Sequence, residues 1–206
     1  MISSALKPRR IAAAAVAALA IAMAWSVGPG AVPTAAAASV CPGQQVSQVF
    51  LPWLDPAGYT LVGDGGFESG AKGWTLKGGA SVVSGNEPWK VHGAGDSRAL
   101  NLPAGAKATS PAACIGLLHP TARFFARSLG GLLRVDATLT LGKLSLSLPI
   151  GVVPAGDSFA PTLPMPLVAN LTTLLTGGSG SVALTFTAIG GAVQIDDVYI
   201  DPFKVH

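Results

Sequence analysis

The feature that most restricts how this chain can fold is a strict alternation of apolar and polar residues between Leu133 and Ile150. A period of two is typical of a β-strand with one buried face. Gly142-Lys143 divides the segment and predicts a two-residue turn, after which leucine resumes on the same face. The apolar face comprises Leu133, Val135, Ala137, Leu139, Leu141, Leu144, Leu146, Leu148 and Ile150. The pattern therefore predicts a β-hairpin that turns this face towards a hydrophobic core.

The same period recurs in shorter segments that are separated by Gly- and Pro-rich turns. Residues 182–188 alternate cleanly, whereas residues 166–175 are compatible either with a strand and a turn or with one helix. Residues 121–127 suit a strand, in which Phe124 and Phe125 would point to opposite faces. Both rings would then be buried only if the N-terminal arm covered the outer face. Together the segments predict roughly eight to ten strands, as in an all-β sandwich.

Two short motifs lie near the ends of this strand-rich region. The first is Gly65-Gly66-Phe67-Glu68, followed by two further glycines and Trp74, and its paired glycines predict a tight turn with positive φ. The second is the segment 193–200. Its apolar residues occupy odd-numbered positions before Asp196-Asp197 (Val193 and Ile195) and even-numbered positions after it (Val198 and Ile200). This change of parity predicts a β-bulge, because a bulge adds one residue to one strand.

The Gly-Phe-Glu-x-Gly…Gly-Trp opening and the Ile-Asp-Asp-Val-x-Ile ending resemble the galactose-binding-like jelly roll of secreted carbohydrate-binding modules. The resemblance covers roughly residues 58–203 and implies an all-β, antiparallel jelly-roll β-sandwich. The middle of the chain carries no sugar-binding motif of that family. In related modules a structural calcium ion often lies beside the opening motif, so the resemblance implies calcium ligands at Glu68 and Asp197, with Asp64 as a further oxygen donor. The alternative is that these carboxylates hydrogen-bond the backbone of turns.

Residues 1–38 have the features of a secretory signal peptide. Three basic residues precede a mainly apolar run over residues 11–27, and four consecutive alanines supply a cleavage site near Ala38. An uncleaved membrane anchor is the alternative, although the run is short of the ~20 residues of a full span. Residues 39–57 would then be an N-terminal arm and residues 58–206 the β-sandwich domain. We expect the protein to be secreted, and to be extracellular or associated with the cell wall.

The charge balance excludes two classes of partner. Residues 1–38 hold three of the 13 Lys and Arg residues and none of the 10 Asp and Glu residues, which leaves ten of each sign in residues 39–206. A net charge of zero offers no electrostatic basis for binding nucleic acid or an anionic membrane surface.

Cys41 and Cys114 are the two cysteines of the chain. In an exported protein such a pair predicts one disulfide, which here would tie the arm to the middle of the domain. A metal site built on the two thiolates is the alternative, but His92, His119 and His206 show no recognisable ligand spacing.

The sequence shows no convergent catalytic residues. No serine lies in a Gly-x-Ser-x-Gly motif, and Glu68 and Glu87 are the only glutamates. A Glu68–Asp197 pair could imitate the two carboxylates of a glycosidase, but its place beside turn glycines favours a structural or metal-binding role. We therefore expect a protein that is not an enzyme.

The candidate ligand-binding residues lie in the glycine-rich segment Gly85–Arg98: Asn86, Glu87, Trp89 and Arg98. An aromatic ring offers a flat face to the C–H groups of a sugar, and the polar side chains would bond its hydroxyls. Trp53 in the arm is a second candidate, and the alternative for Trp89 is a place in the core. The prediction is a non-catalytic, carbohydrate-binding-like protein whose partner is a polysaccharide or cell-wall glycan. The alternative is a structural or protein-interaction domain with no sugar ligand.

Overall fold

The computed structural model describes residues 41, 43–116, 120–141, 143–167 and 180–201. The predicted signal peptide and most of the ambiguous segment 166–175 lie outside these residues. A 3-10 helix covers Leu51–Trp53, and among the described residues no helix is long and apolar enough to cross a membrane. The strands are β1 (Thr60–Leu61), β2 (Thr75–Lys77), β3 (Ser81–Ser84), β4 (Arg98–Leu102), β5 (Lys107–Thr109), β6 (Ala113–Ile115), β7 (Thr121–Leu129), β8 (Leu132–Leu141), β9 (Leu144–Val153), β10 (Ala160–Pro161), β11 (Met165–Pro166), β12 (Gly180–Ile189) and β13 (Ala192–Asp201).

These strands form two sheets. One sheet has the order β10-β7-β13-β4-β3, with β1 paired to β13 and β11 paired to β7. The other has the order β2-β5-β12-β8-β9, with β6 paired to β12. Every pairing between these strands is antiparallel. The predicted fold, an all-β antiparallel jelly-roll sandwich, is confirmed.

The core lies between the two sheets because each contributes the apolar side of its alternating strands. On β12 the residues Val182, Leu184 and Phe186 are fully buried, while the side chains between them are partly exposed. The ring of Phe124 on β7 meets that of Phe186 edge-on, with centroids 5.1 Å apart. Trp74 also stacks on Phe186, at 5.9 Å, so the opening motif supplies one of the large core side chains.

The predicted hairpin is confirmed, and near its turn the register pairs Leu141 with Leu144 and Leu139 with Leu146. Farther from the turn the register shifts between Val135 and Asp136, a bulge that the strict alternation did not predict. The leucine face of the hairpin, however, is not buried throughout. Leu144 is 62% exposed and Leu146 is 44% exposed. Both side chains belong to β9, which among the described strands is at the edge of its sheet.

The two end motifs meet in space, and one of their predicted details is wrong. The register of β13 against β7 shifts between Asp196 and Tyr199, which confirms the β-bulge. In the opening turn, positive φ occurs at Asp64 and Phe67 and not at the paired glycines. Gly65 is required for a different reason: a Cβ there would lie 2.6 Å from the carbonyl oxygen of Val198. Absence of a side chain, rather than φ, lets the turn approach the bulged strand.

The N-terminal arm packs on the outer face of the β7–β13 sheet. A disulfide joins Cys41 to Cys114 across a sequence separation of 73, as predicted. Phe50 is fully buried and stacks on Phe125, with centroids 5.6 Å apart. Phe124 and Phe125 are therefore both buried, one in the core and the other beneath the arm.

Candidate functional site

The loop between β3 and β4, residues 85–97, presents one large aromatic ring to the surface. Trp89 is 48% exposed, so it does not belong to the core. Its ring meets the Trp53 ring edge-on, with centroids 5.1 Å apart, and its centroid lies 5.5 Å from that of the Phe125 ring. Trp53 in turn contacts Phe125 at 5.4 Å. The two tryptophans predicted as sugar-binding candidates are thus brought together, although 36 positions separate them, and a buried ring supports both.

The other three predicted ligand residues have different environments. Glu87 is fully buried, and its carboxylate accepts the N–H groups of Trp89 at 2.5 Å and Val91 at 2.6 Å. It shapes the loop from inside and does not reach the surface. Asn86 is half-buried and donates its amide to the carbonyl of Glu87 at 2.8 Å. Arg98 is exposed at the start of β4.

A cleft of about 300 Å³ lies on the other side of Trp53. Its polar wall is an ion pair between Arg123 and Asp55 at 2.7 Å, and Tyr59 donates its hydroxyl to the same carboxylate at 2.7 Å. Burial opposes ionisation of Asp55, but hydrogen bonds from Tyr59, the Ala57 N–H and Arg123 outweigh it and hold the pKa below its usual value. No sequence pattern marks Asp55 or Arg123 as part of a site, because only the folded arm brings the two residues together.

Two of the predicted calcium ligands serve the backbone. Glu68 accepts the N–H groups of Ser97 and Arg98, each at 2.8 Å, and so ties the opening motif to the start of β4. Asp64 accepts the N–H groups of Ser69 at 2.9 Å and Lys72 at 2.6 Å. Both carboxylates therefore perform the turn-bonding role that was the alternative to calcium binding.

Asp197, the third predicted ligand, lies in a buried cluster of acidic residues. Glu87, Asp196 and Asp197 are fully buried, and Asp96 is 5% exposed. The carboxylate of Asp196 accepts the N–H groups of Glu87 at 3.0 Å and of Asp197 at 2.8 Å. Burial raises the pKa of Asp196 to about 8, and burial together with the neighbouring carboxylates raises that of Asp197 to about 9.

The donor atoms that converge in this cluster belong to His92, Asp96 and Asp197. One atom from each lies within 4.8 Å of the other two, and His92 Nδ1 is 3.2 Å from Asp96 Oδ1. This set includes a ring nitrogen, whereas calcium takes six to eight oxygen ligands, so the donors that converge do not fit calcium well. Glu68 and Asp64 are not part of the set. Calcium binding at Glu68, Asp197 and Asp64 stays a prediction.

A second cleft, of about 420 Å³, is lined mainly by apolar residues. It opens between the β9 edge of one sheet and the β10 and β11 edge of the other. Its walls include Ile150, Val152, Val153, Leu163 and Met165. Leu163 is 82% exposed and Val152 is 55% exposed, so this side of the sandwich has apolar side chains in contact with solvent.

No protein-family model matches the sequence, and no curated protein matches it. Solved structures with a similar backbone include a family 61 carbohydrate-binding module in complex with β-1,4-galactotriose, with 16% identity, 68% of this chain and 96% of that chain covered, and a TM-score of 0.42. The N-terminal CBM22-1–CBM22-2 tandem domain of Paenibacillus barcinonensis Xyn10C is 14% identical; the match covers 68% of this chain and 44% of that chain, with a TM-score of 0.46.

The enzymatically active domain of bacteriophage CBA120 tailspike protein 4 is 18% identical; the match covers 68% of this chain and 21% of that chain, with a TM-score of 0.48. Because these TM-scores are below 0.5, the similarities carry no conclusion about the ligand or activity of this chain.

Proposed function

We propose that this protein is a secreted, non-catalytic carbohydrate-binding module that acts outside the cell or at the cell wall. The observation that carries the proposal is the aromatic surface made by Trp53 and Trp89. A half-exposed tryptophan, edge-on to a second one, offers a rigid apolar face to a sugar ring at small cost in side-chain entropy. The disulfide favours an oxidising compartment and so supports secretion.

The support beneath this surface keeps its geometry constant. Phe125 is fully buried and contacts both indoles, so neither ring is a freely moving surface side chain. The buried carboxylate of Glu87 holds the backbone of the loop at Trp89. A ring that is held in its binding orientation before a ligand arrives loses little freedom on binding.

Polar groups for sugar hydroxyls lie beside the aromatic surface. The cleft next to Trp53 contains the paired carboxylate of Asp55 and guanidinium of Arg123. Charged groups make the stronger hydrogen bonds, and a carboxylate accepts from hydroxyls while a guanidinium donates to them. The cleft therefore combines an aromatic wall with donors and acceptors in fixed positions.

The proposal is tested with polysaccharide affinity electrophoresis and a glycan array on the protein and its Trp89→Ala and Trp53→Ala variants. Losing a central tryptophan at an interface costs about 2 kcal/mol or more, which corresponds to a loss of affinity of about thirtyfold. Leu144→Ala is the control, because it removes exposed apolar surface elsewhere on the molecule. Circular dichroism checks that each variant is folded. A wild-type protein that binds no glycan, or tryptophan variants that bind as well as wild type, would refute the proposal.

The alternative, a structural or protein-interaction domain without a sugar ligand, is favoured by one observation. The apolar cleft of about 420 Å³ has few polar groups, and exposed apolar patches of this kind mark interaction surfaces. The two functions respond to different substitutions. Val152→Asp places a charge in the apolar cleft at an exposed residue that does not line the cleft beside Trp53, and it should leave glycan binding unchanged if the aromatic surface is the site.

A further inference from the structure

We propose that His92, Asp96 and Asp197 bind a divalent transition-metal ion, with Zn²⁺ as its representative. The site lies where the 85–97 loop crosses the bulge in β13, next to the opening turn. It differs from the predicted calcium set in two of its three residues. The inference does not depend on glycan binding.

Unpaired buried oxygen atoms are the first argument. Asp197 is fully buried, and neither of its carboxylate oxygens accepts a hydrogen bond within the described parts of the chain. Its acidic neighbour Glu87 could bond it only by sharing a proton, and Glu87 already accepts two backbone N–H groups. Asp96 Oδ2 is also buried without a partner. Buried polar atoms are normally hydrogen-bonded or bound to a metal, so these unpartnered oxygens point to a bound cation.

The side chains that the structure describes near the cluster supply no such cation. Among the described residues, the ion pairs of Lys and Arg join Arg123 to Asp55 and Arg134 to Asp136, and neither reaches the acidic cluster. The basic group in contact with the cluster is the His92 imidazole, which bonds Asp96. A neutral imidazole and two carboxylates together carry two negative charges, which one divalent ion balances.

Space for an ion exists because residue 66 has no side chain. A Cβ on Gly66 would lie 3.0 Å from Asp197 Oδ1 and 3.0 Å from His92 Nδ1, which places it against two of the three donor atoms. The φ of Gly66 is not in the left-handed region, so its backbone conformation does not require glycine. A side chain at this position would press against both donor atoms and displace them by a few tenths of an ångström.

The donor set selects the class of ion. Imidazole suits zinc, copper, iron and nickel, whereas calcium and magnesium take hard oxygen ligands. Three protein donors leave a coordination position for water. The His92 side chain is 39% exposed, so an ion can enter from solvent on that side while the two aspartates lie behind it.

The experiment measures thermal unfolding and metal content of the untagged protein after treatment with EDTA and dialysis. At a free Zn²⁺ concentration about 100 times Kd, we expect Tm to rise by about 5–10 °C. Elemental analysis should find one zinc ion per chain. Calcium at the same concentration should give a much smaller shift.

Three variants should abolish the Zn²⁺ response: His92→Ala, Asp197→Asn and Gly66→Ala. Asn tolerates the positive φ of 49° at Asp197 and removes the buried charge, so the metal-free Asp197→Asn protein should be at least as stable as the metal-free wild type. The exposed His92→Ala variant serves if a buried substitution prevents folding. Asp157→Asn, an exposed carboxylate outside the cluster, is the matched control and should keep the full response.

Three outcomes would overturn the inference. One is a wild-type protein whose Tm does not change with Zn²⁺. Another is a Zn²⁺ response that persists in His92→Ala and Asp197→Asn, because the ion would then bind elsewhere. A calcium shift as large as the zinc shift that is unaffected by His92→Ala would also overturn it, and would favour an all-oxygen site.

Discussion

Replacing Phe50 by alanine tests whether the N-terminal arm is part of the hydrophobic core or an appendage tied on by the disulfide. Phe50 is fully buried and contacts Phe125 at 5.6 Å, Tyr59 at 4.9 Å and Tyr199 at 5.8 Å. The guanidinium of Arg123 lies 4.5 Å from the centre of the Phe50 ring. This side chain therefore joins the arm to two strands of the sheet beneath it.

The expected cost follows from these contacts. Removing a fully buried phenylalanine costs about 3–5 kcal/mol, through lost transfer free energy and the cavity that remains. Loss of the cation–π contact with Arg123 acts in the same direction, so we expect a value of about 4 kcal/mol. For a domain of this size Tm falls by about 2–4 °C per kcal/mol, which predicts a decrease of about 8–16 °C.

Urea unfolding followed by tryptophan fluorescence measures the loss of unfolding free energy, because Trp53 and Trp89 both contact the same aromatic cluster as Phe50. The adjacent residue Leu51 is 51% exposed, and Leu51→Ala is the control, with an expected change of less than about 1 kcal/mol. A Phe50→Ala variant that unfolds at the same urea concentration as wild type would show that the sandwich is stable without the arm, and the reasoning would be wrong.

Three further predictions concern the disulfide, an ion pair and a glycine. Replacing both Cys41 and Cys114 by serine should lower the free energy of unfolding by about 4 kcal/mol in the chain-entropy model, as measured by urea unfolding, and peptide mapping without reductant should recover the two cysteines linked. Because the folded-state pKa of Asp55 lies below its unfolded value of 3.8, its stabilisation is present above about pH 4 and is lost as pH falls through the folded pKa. Asp55→Asn should therefore be less stable than wild type at pH 7, and the difference in unfolding free energy should narrow as the pH falls below 3.8; a difference that does not change with pH would contradict this. Gly65→Ala should cost about 1–3 kcal/mol because its Cβ would lie 2.6 Å from the Val198 carbonyl, whereas Gly95→Ala has no atom within 4 Å and should be nearly neutral in the same thermal-unfolding assay.

The sequence predicted those features of the fold that depend on local periodicity. The two-residue period of β8 and β9 predicted the hairpin and the register next to its turn, and the change of parity at Asp196-Asp197 predicted the bulge in β13. It could not predict that β9 lies at a sheet edge, where Leu144 and Leu146 are exposed. Strand order depends on which distant segments pair, and alternation within one strand carries no information about that.

The candidate site was predicted only in part, for a related reason. The composition of the 85–97 loop predicted that it contains ligand-binding residues. Residue type alone, however, did not predict which of its side chains are exposed. In the folded loop the charged Glu87 is fully buried, while the apolar Trp89 is half-exposed. Glu87 is buried because its carboxylate accepts hydrogen bonds from the loop backbone, although carboxylates usually face solvent. Trp89 lies at the surface because it packs against Trp53, although an indole is usually buried in the core.

By itself, the amino-acid sequence determined the strand period, the turns, the disulfide partners and the all-β class, because each follows from neighbours in sequence or from the two cysteines being the only pair. Tertiary structure decided which long-range groups meet. Asp197 faces His92 and Asp96 from about a hundred positions away, and Phe50 covers Phe125 from 75 positions away. Those contacts depend on the packing of an arm, a loop and a bulged strand against one another, because chain folding sets the distances between segments that local sequence patterns leave open.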